Sequence, residues 1–172
     1  MALTEARRHD LGGMRFLAFD SFAGLPENIE KEGHAEWAVG ALHTSEEDFL
    51  SMVREHGIYV GAVETIKGFY DDTLTSELSD RLDAKGVAAS IVTIDCDFYE
   101  SARPVFDFTE RFLRDGTLIY IDDYFAGFRG NPNKGVARAF AEFRERSAWE
   151  FADHMTIGWW GRSFIAYPRG SE

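Results

Sequence analysis

A single cysteine, Cys96, rules out an intrachain disulfide and favours a reducing, cytosolic setting. Positive charge is scarce as well. Eighteen Lys and Arg stand against thirty Asp and Glu, for a net charge of −12. A surface meant for nucleic acid must neutralise phosphates, so nucleic acid is disfavoured as a partner, and acidic membrane surfaces are disfavoured for the same reason. No apolar run approaches the roughly 20 residues needed to span a bilayer. The opening stretch "MALTEARRHDLGG" is charged and lacks an apolar core, so no secretory signal is expected and the cytoplasm is the expected compartment. There is no C-x-x-C, no H-E-x-x-H, no G-x-S-x-G, no repeat and no low-complexity tract. What the chain does have is aromatic bulk: 15 Phe, 6 Tyr and 4 Trp, within 45% hydrophobic residues. That composition argues for a folded core and against disorder, and 172 residues suggest a single domain, 1–172. A field this acidic suits a divalent cation or a cationic ligand.

Strand-like and helix-like segments alternate. "MRFLAFD" (14–20) reads as a buried strand, followed by a long aperiodic loop containing His34 and His43. Thr44 and Glu47 have capping-box spacing and predict a helix that stops at Gly57. "AVETIKG" (62–68) is a strand and "LTSELSDRLDAKG" (74–86) a helix; "AASIVTID" (88–95) is a strand and "ESARPVFDFTERFLRDG" (100–116) a helix. Pro104 falls in that last helix's first turn, where its missing N–H costs little. Strand "GTLIYID" (116–122) and helix "KGVARAFAEFRER" (134–146) follow. "WEFADHMTIG" and "GRSFIAYP" then predict an antiparallel hairpin, with Trp159 and Trp160 as packing residues at its turn and His154 as a structural residue. Helices of this length between strands imply right-handed crossovers and a largely parallel α/β sheet. Such sheets bind ligands beyond the carboxyl ends of their strands.

Four successive strands end in acid. The first gives Asp20, and the second leads through Gly68, Phe69 and Tyr70 to Asp71 and Asp72. The third gives Asp95 and Asp97, the fourth Asp122 and Asp123. Like charges gathered on one rim repel and raise one another's pKa, and a hard divalent ion such as Mg²⁺ relieves the strain through oxygen ligands. The plainer reading is that Asp ends strands because its carboxylate caps backbone N–H groups. For Asp71 and Asp72, in "DDTLTSEL", capping is the preferred reading. Two acidic clusters on consecutive parallel strands favour a metal role for Asp95 and Asp122. Cys96 reads as a packed bystander, with no neighbouring cation to stabilise a thiolate.

"FDSFAGLP" (19–26), "IKGFYDDTL" (66–74), "IDCDFYESA" (94–102) and "IDDYFAG" (121–127) resemble, in order and spacing, the macrocin-type O-methyltransferases. These are class I S-adenosylmethionine-dependent enzymes that methylate sugar hydroxyls in natural-product pathways. The resemblance implies a Rossmann-like sheet, mostly parallel, with the closing hairpin supplying its reversed strand. It also implies cofactor contacts from Asp20 to ribose hydroxyls, from Ser21 and Phe22 along the pocket wall, and from Gly68 and Phe69 to the adenine. Asp95, Asp122 and Asp123 match the family's metal-binding aspartates, and Asp97 beside them, with Asp95, is the candidate for the catalytic role. Cys96 stands where the family has Gly. The substrate implied is a small hydroxylated molecule.

The resemblance also implies a first strand and a glycine-rich E/D-x-G-x-G turn ahead of "FLAFDSF", and the thirteen residues before Met14 do not match them. The chain therefore reads as N-terminally incomplete. The missing strand belongs at the centre of the sheet, so rearrangement or self-association into a homo-oligomer is expected if the chain folds alone. A rival reading keeps the fold and drops the chemistry, leaving a metal- or protein-binding module without a cofactor. A third, nucleotide-sugar or phosphoryl transfer, lacks a glycine-rich phosphate cradle or a basic clamp.

Overall fold

Strand β1 (Phe16–Asp20) and strand β2 (Val63–Lys67) pair in parallel, with Asp20 opposite Lys67 at their carboxyl ends. Beside them in sequence lie helix α1 (Glu46–His56) and a one-turn helix α2 (Tyr70–Thr73). The rest of the chain supplies α3 (Ser76–Ala84), β3 (Ile91–Ile94), α4 (Tyr99–Glu110), β4 (Leu118–Ile121), α5 (Gly135–Arg146), β5 (Trp149–Ile157) and β6 (Gly161–Pro168). The structure is a computed structural model and describes residues 12–27, 37–56 and 62–170. The described residues fall into two compact units, one up to residue 73 and one from residue 74 onward.

Among the described residues the strands form two sheets, β1-β2 and β3-β4-β6-β5. The strand that the resemblance sets between β1 and β3 is not among them. In the larger sheet β3 and β4 run parallel, while β6 is antiparallel to both β4 and β5. The hairpin expected at the end of the chain is therefore present and joins the sheet through β6. A register shift between Asp153 and Met155 bends β5, the outer strand.

In the second unit, β4 alternates buried and half-buried residues, with Ile119 and Ile121 turned into the core and Leu118 and Tyr120 on the other face. The core is largely phenylalanine. Phe106 of α4 stacks on Phe143 of α5 at 5.3 Å between centroids, and Phe140 meets Phe164 of β6 at 4.4 Å. All four are fully buried. Each contributes roughly 1.5–3 kcal/mol of transfer free energy, enough to hold α4 and α5 as one layer over the sheet. At the solvent end of that layer the Tyr99 hydroxyl donates to Glu142 at 2.8 Å, and the Arg138 guanidinium lies 4.0 Å from the Tyr99 ring.

Several expectations shift on contact with the structure. Helix α1 is capped by Ser45, not by Thr44: Ser45 Oγ accepts from Asp48 N at 3.1 Å and donates to Asp48 Oδ2 at 2.7 Å. The expected stop at Gly57 lies outside the described residues, as does His34. The helix expected at 74–86 begins only at Ser76, where Thr75 caps it by accepting from Leu78 N, and the residues before it form α2. Asp71 and Asp72 occupy the first turn of α2. Trp159 is 89% exposed at the β5–β6 turn, so it does not pack the hairpin as expected. Trp160 beside it is exposed as well, since a three-residue apex has too few neighbours to cover an indole. His154 does take a structural bond, its Nδ1 lying 2.9 Å from Ser163 Oγ.

Candidate functional site

The parallel register of β3 and β4 sets Ile94 beside Ile121, so the next residue of each strand, Asp95 and Asp122, emerges at the same level. Asp122 N donates to Ile94 O at 2.9 Å and closes the ladder there. Asp123 follows, and its Oδ2 accepts from Asp97 N at 3.0 Å, tying the loop after β3 to the loop after β4. That bond needs an unusual backbone: Asp97 has φ 58°, in the left-handed region that costs most side chains roughly 1 kcal/mol or more and that Asp tolerates better than most. One carboxylate oxygen from each of Asp95, Asp122 and Asp123 lies within 4.8 Å of the other two. Among the described residues this is the one acidic group so gathered.

The electrostatic consequence is large. Burial, then the charge of Asp97, pushes the Asp123 carboxyl up from 3.8 to about 7, with Asp95 and Asp122 adding to the rise and the bond from Asp97 N opposing it. The Tyr120 hydroxyl donates to Asp122 Oδ1. That bond, then burial and the surrounding carboxylates, raise the phenol to about 12. Cys96 is buried between the two aspartates of "DCD"; burial first, and the charges of Asp123, Asp97 and Asp95 after it, hold its thiol well above the usual range. No nucleophile is poised there. Three hard oxygen donors gathered this closely fit a divalent cation such as Mg²⁺ by donor chemistry.

The ends of β1 and β2 are built differently. Asp20 Oδ1 accepts from Phe22 N at 2.6 Å, and Oδ2 accepts no bond among the described residues. Gly68 N donates to Asp20 O at 3.0 Å. Gly68 has φ 141°, and a Cβ there would meet Thr73 Cγ2 at 2.7 Å, so both backbone and space require glycine. The Ser21 hydroxyl donates to Gly24 O at 3.0 Å, shaping the loop. Phe22, with φ 51°, lays its ring 5.7 Å from that of Phe49 in α1. The Phe69 ring is 41% exposed just past Gly68. An open carboxylate oxygen and an exposed ring on adjoining strand ends fit the ribose and adenine of a nucleoside-bearing cofactor.

Sequence reasoning passed over Tyr120. The signal was present, since residues 120 and 122 of "IYIDDY" share a strand face by their i, i+2 spacing. His43 is exposed in the loop before α1.

A model of the macrocin-O-methyltransferase family matches residues 7–164. The chain belongs to this family. Solved structures agree on the fold. The O-methyltransferase NovP is 23% identical with a TM-score of 0.69, over 93% of this chain and 63% of its own. The calicheamicin methyltransferase CalS11 is 14% identical with a TM-score of 0.64, over 93% and 62%. The O-methyltransferase TomG from Streptomyces achromogenes, solved in complex with S-adenosylmethionine, is 19% identical with a TM-score of 0.53, over 97% and 77%. No curated protein matches. The chain thus has the Rossmann-like α/β methyltransferase fold, and it spans less than two thirds of the NovP and CalS11 chains. No helix among its described residues is long and apolar enough to cross a membrane.

Proposed function

We propose that the chain is the greater part of an S-adenosylmethionine-dependent, divalent-metal-assisted O-methyltransferase acting on a hydroxyl of a sugar or related natural product. The observation that carries the reading is the convergence of Asp95, Asp122 and Asp123 on adjacent parallel strand ends in a chain of the macrocin-O-methyltransferase family. The sugar class is supported by CalS11, described as a TDP-rhamnose 3'-O-methyltransferase. The cofactor is supported by TomG, solved with S-adenosylmethionine. Cytoplasmic residence and self-association are part of the same proposal, the first resting on the lone cysteine.

Asp95, Asp122 and Asp123 would hold the cation, which when bound supplies Lewis acidity that lowers the pKa of the acceptor hydroxyl. Asp20 Oδ2 would accept from the ribose hydroxyls, the Phe69 ring would lie against the adenine, and Gly68 would let the cofactor approach the backbone. Ser21 and Phe22 fix the loop that carries Asp20. A carboxylate oxygen of Asp97, with Asp95 next to it, receives the proton that the acceptor hydroxyl releases. The side chains' main service is to hold acceptor and methyl donor in register, since orientation alone is worth several kcal/mol of barrier.

Calorimetric titration of S-adenosylmethionine into the purified chain, with and without Mg²⁺, tests this. Binding of the cofactor, followed by methyl transfer to a sugar hydroxyl only when the metal is present, is the expected result. Metal binding with no cofactor binding would instead favour a metal- or protein-binding module, and absence of both would overturn the reading.

A further inference from the structure

A carboxylate that shares one cation with two others must hold a fixed orientation, and Asp122 lies just past the end of β4, where an Asp side chain is free to rotate between rotamers. Tyr120 removes that freedom. Its hydroxyl donates to Asp122 Oδ1 along the same face of the strand, occupying one of the two carboxylate oxygens. The ring reaches that position because β6 leaves room for it. The register Ile121↔Arg162, carried one step further, sets Gly161 opposite Asp122. A Cβ on Gly161 would fall on the Tyr120 hydroxyl and lie 2.5 Å from Cε2 and 2.8 Å from Cζ. Gly161 is not in the left-handed region, so it is the ring that needs the missing side chain and not the backbone.

We propose that Tyr120 is a positioning residue for the metal-binding carboxylates: its hydroxyl holds Asp122 in the orientation that lets it share a divalent cation with Asp95 and Asp123, and Gly161 provides the space its ring occupies. The proposal rests on the metal-assisted reading above. It separates from simple packing on one point, because a phenylalanine would fill the same volume without the bond. Outer hydrogen-bond partners of metal ligands typically matter by about 10–100-fold in affinity.

The test is a titration of Mn²⁺ alone into the purified chain, followed by electron paramagnetic resonance, together with thermal unfolding of the metal-free protein. Tyr120→Phe is expected to weaken Mn²⁺ binding about tenfold with an unchanged metal-free unfolding midpoint. Gly161→Ala, which displaces the hydroxyl, weakens it too, and in the double variant the two losses do not add because both act through one bond. Tyr120→Phe binding Mn²⁺ as the unaltered chain does would overturn the proposal while leaving the metal reading intact. So would a loss of affinity matched by a lowered metal-free midpoint, which marks a general structural role. If the unaltered chain itself binds no Mn²⁺, the metal reading fails and this one with it.

Discussion

The two acidic rims use the same sequence device, an apolar strand stopped by aspartate, and give the carboxylates different partners. At the end of β1 the carboxylate turns back on its own chain and caps Phe22 N, so most of its work is local. At the ends of β3 and β4 the parallel register sets aspartates side by side, and one backbone N–H, from Asp97, serves Asp123. At the first rim the polypeptide satisfies one carboxylate oxygen of Asp20 and leaves the other open among the described residues. At the second, burial first and the charges of Asp97, Asp95 and Asp122 after it raise the Asp123 carboxyl to about 7. What separates a capping aspartate from a candidate ligand here is strand register rather than residue type.

That contrast breaks in its largest form by deletion. Asp122→Ala should weaken Mn²⁺ binding beyond the roughly 100-fold that marks the upper end for outer hydrogen-bond partners, whereas Asp20→Ala should leave it unchanged in the same titration followed by electron paramagnetic resonance. Equal losses from the two would erase the distinction. Of intermediate size is the cost of Gly68→Ala at the first rim. With φ 141° and Thr73 Cγ2 only 2.7 Å from the added Cβ, the substitution should destabilise the fold by about 1–3 kcal/mol, read from urea unfolding, without altering metal affinity.

The smallest effect sharpens the comparison through pH. The Asp123 carboxyl titrates near 3.8 when unfolded and near 7 when folded. Between those values the metal-free folded state keeps a proton that the unfolded chain has released. This group's contribution therefore makes stability fall as pH rises from about 4 to about 7 and level off above that. Unfolding midpoints of the metal-free chain at about pH 5 and about pH 8 should differ less in Asp123→Asn than in the unaltered protein, and a divalent cation should stabilise the unaltered protein more at the higher pH.

Much of this was legible in the sequence because it depends on short-range pattern. Apolar runs such as "SIVTI" and "TLIYI" located β3 and β4, and the aspartates closing them located the rim. The segments 100–116 and 134–146 were legible as helices, and Phe106, Phe140 and Phe143 on them do form the core. The choice between Thr44 and Ser45 as cap was not legible, since both residue types cap helices and only the helix's true first turn decides. Nor was the left-handed backbone of Asp97, which aspartate permits without requiring. The pairing of Tyr120 with Asp122 needed a second strand to explain it, because the room for the ring is made by Gly161, some forty residues away. The exposure of Trp159 depends on the tip of a hairpin, where residue type says little about cover.

One consequence follows from where Cys96 lies. Walled off beneath carboxylates that disfavour its ionised form, the thiol should ignore alkylating reagents for as long as the loop around it stays shut. Its labelling rate is then a built-in clock for how often this corner of the molecule opens, readable by mass on an unmutated chain that offers the reagent no second cysteine.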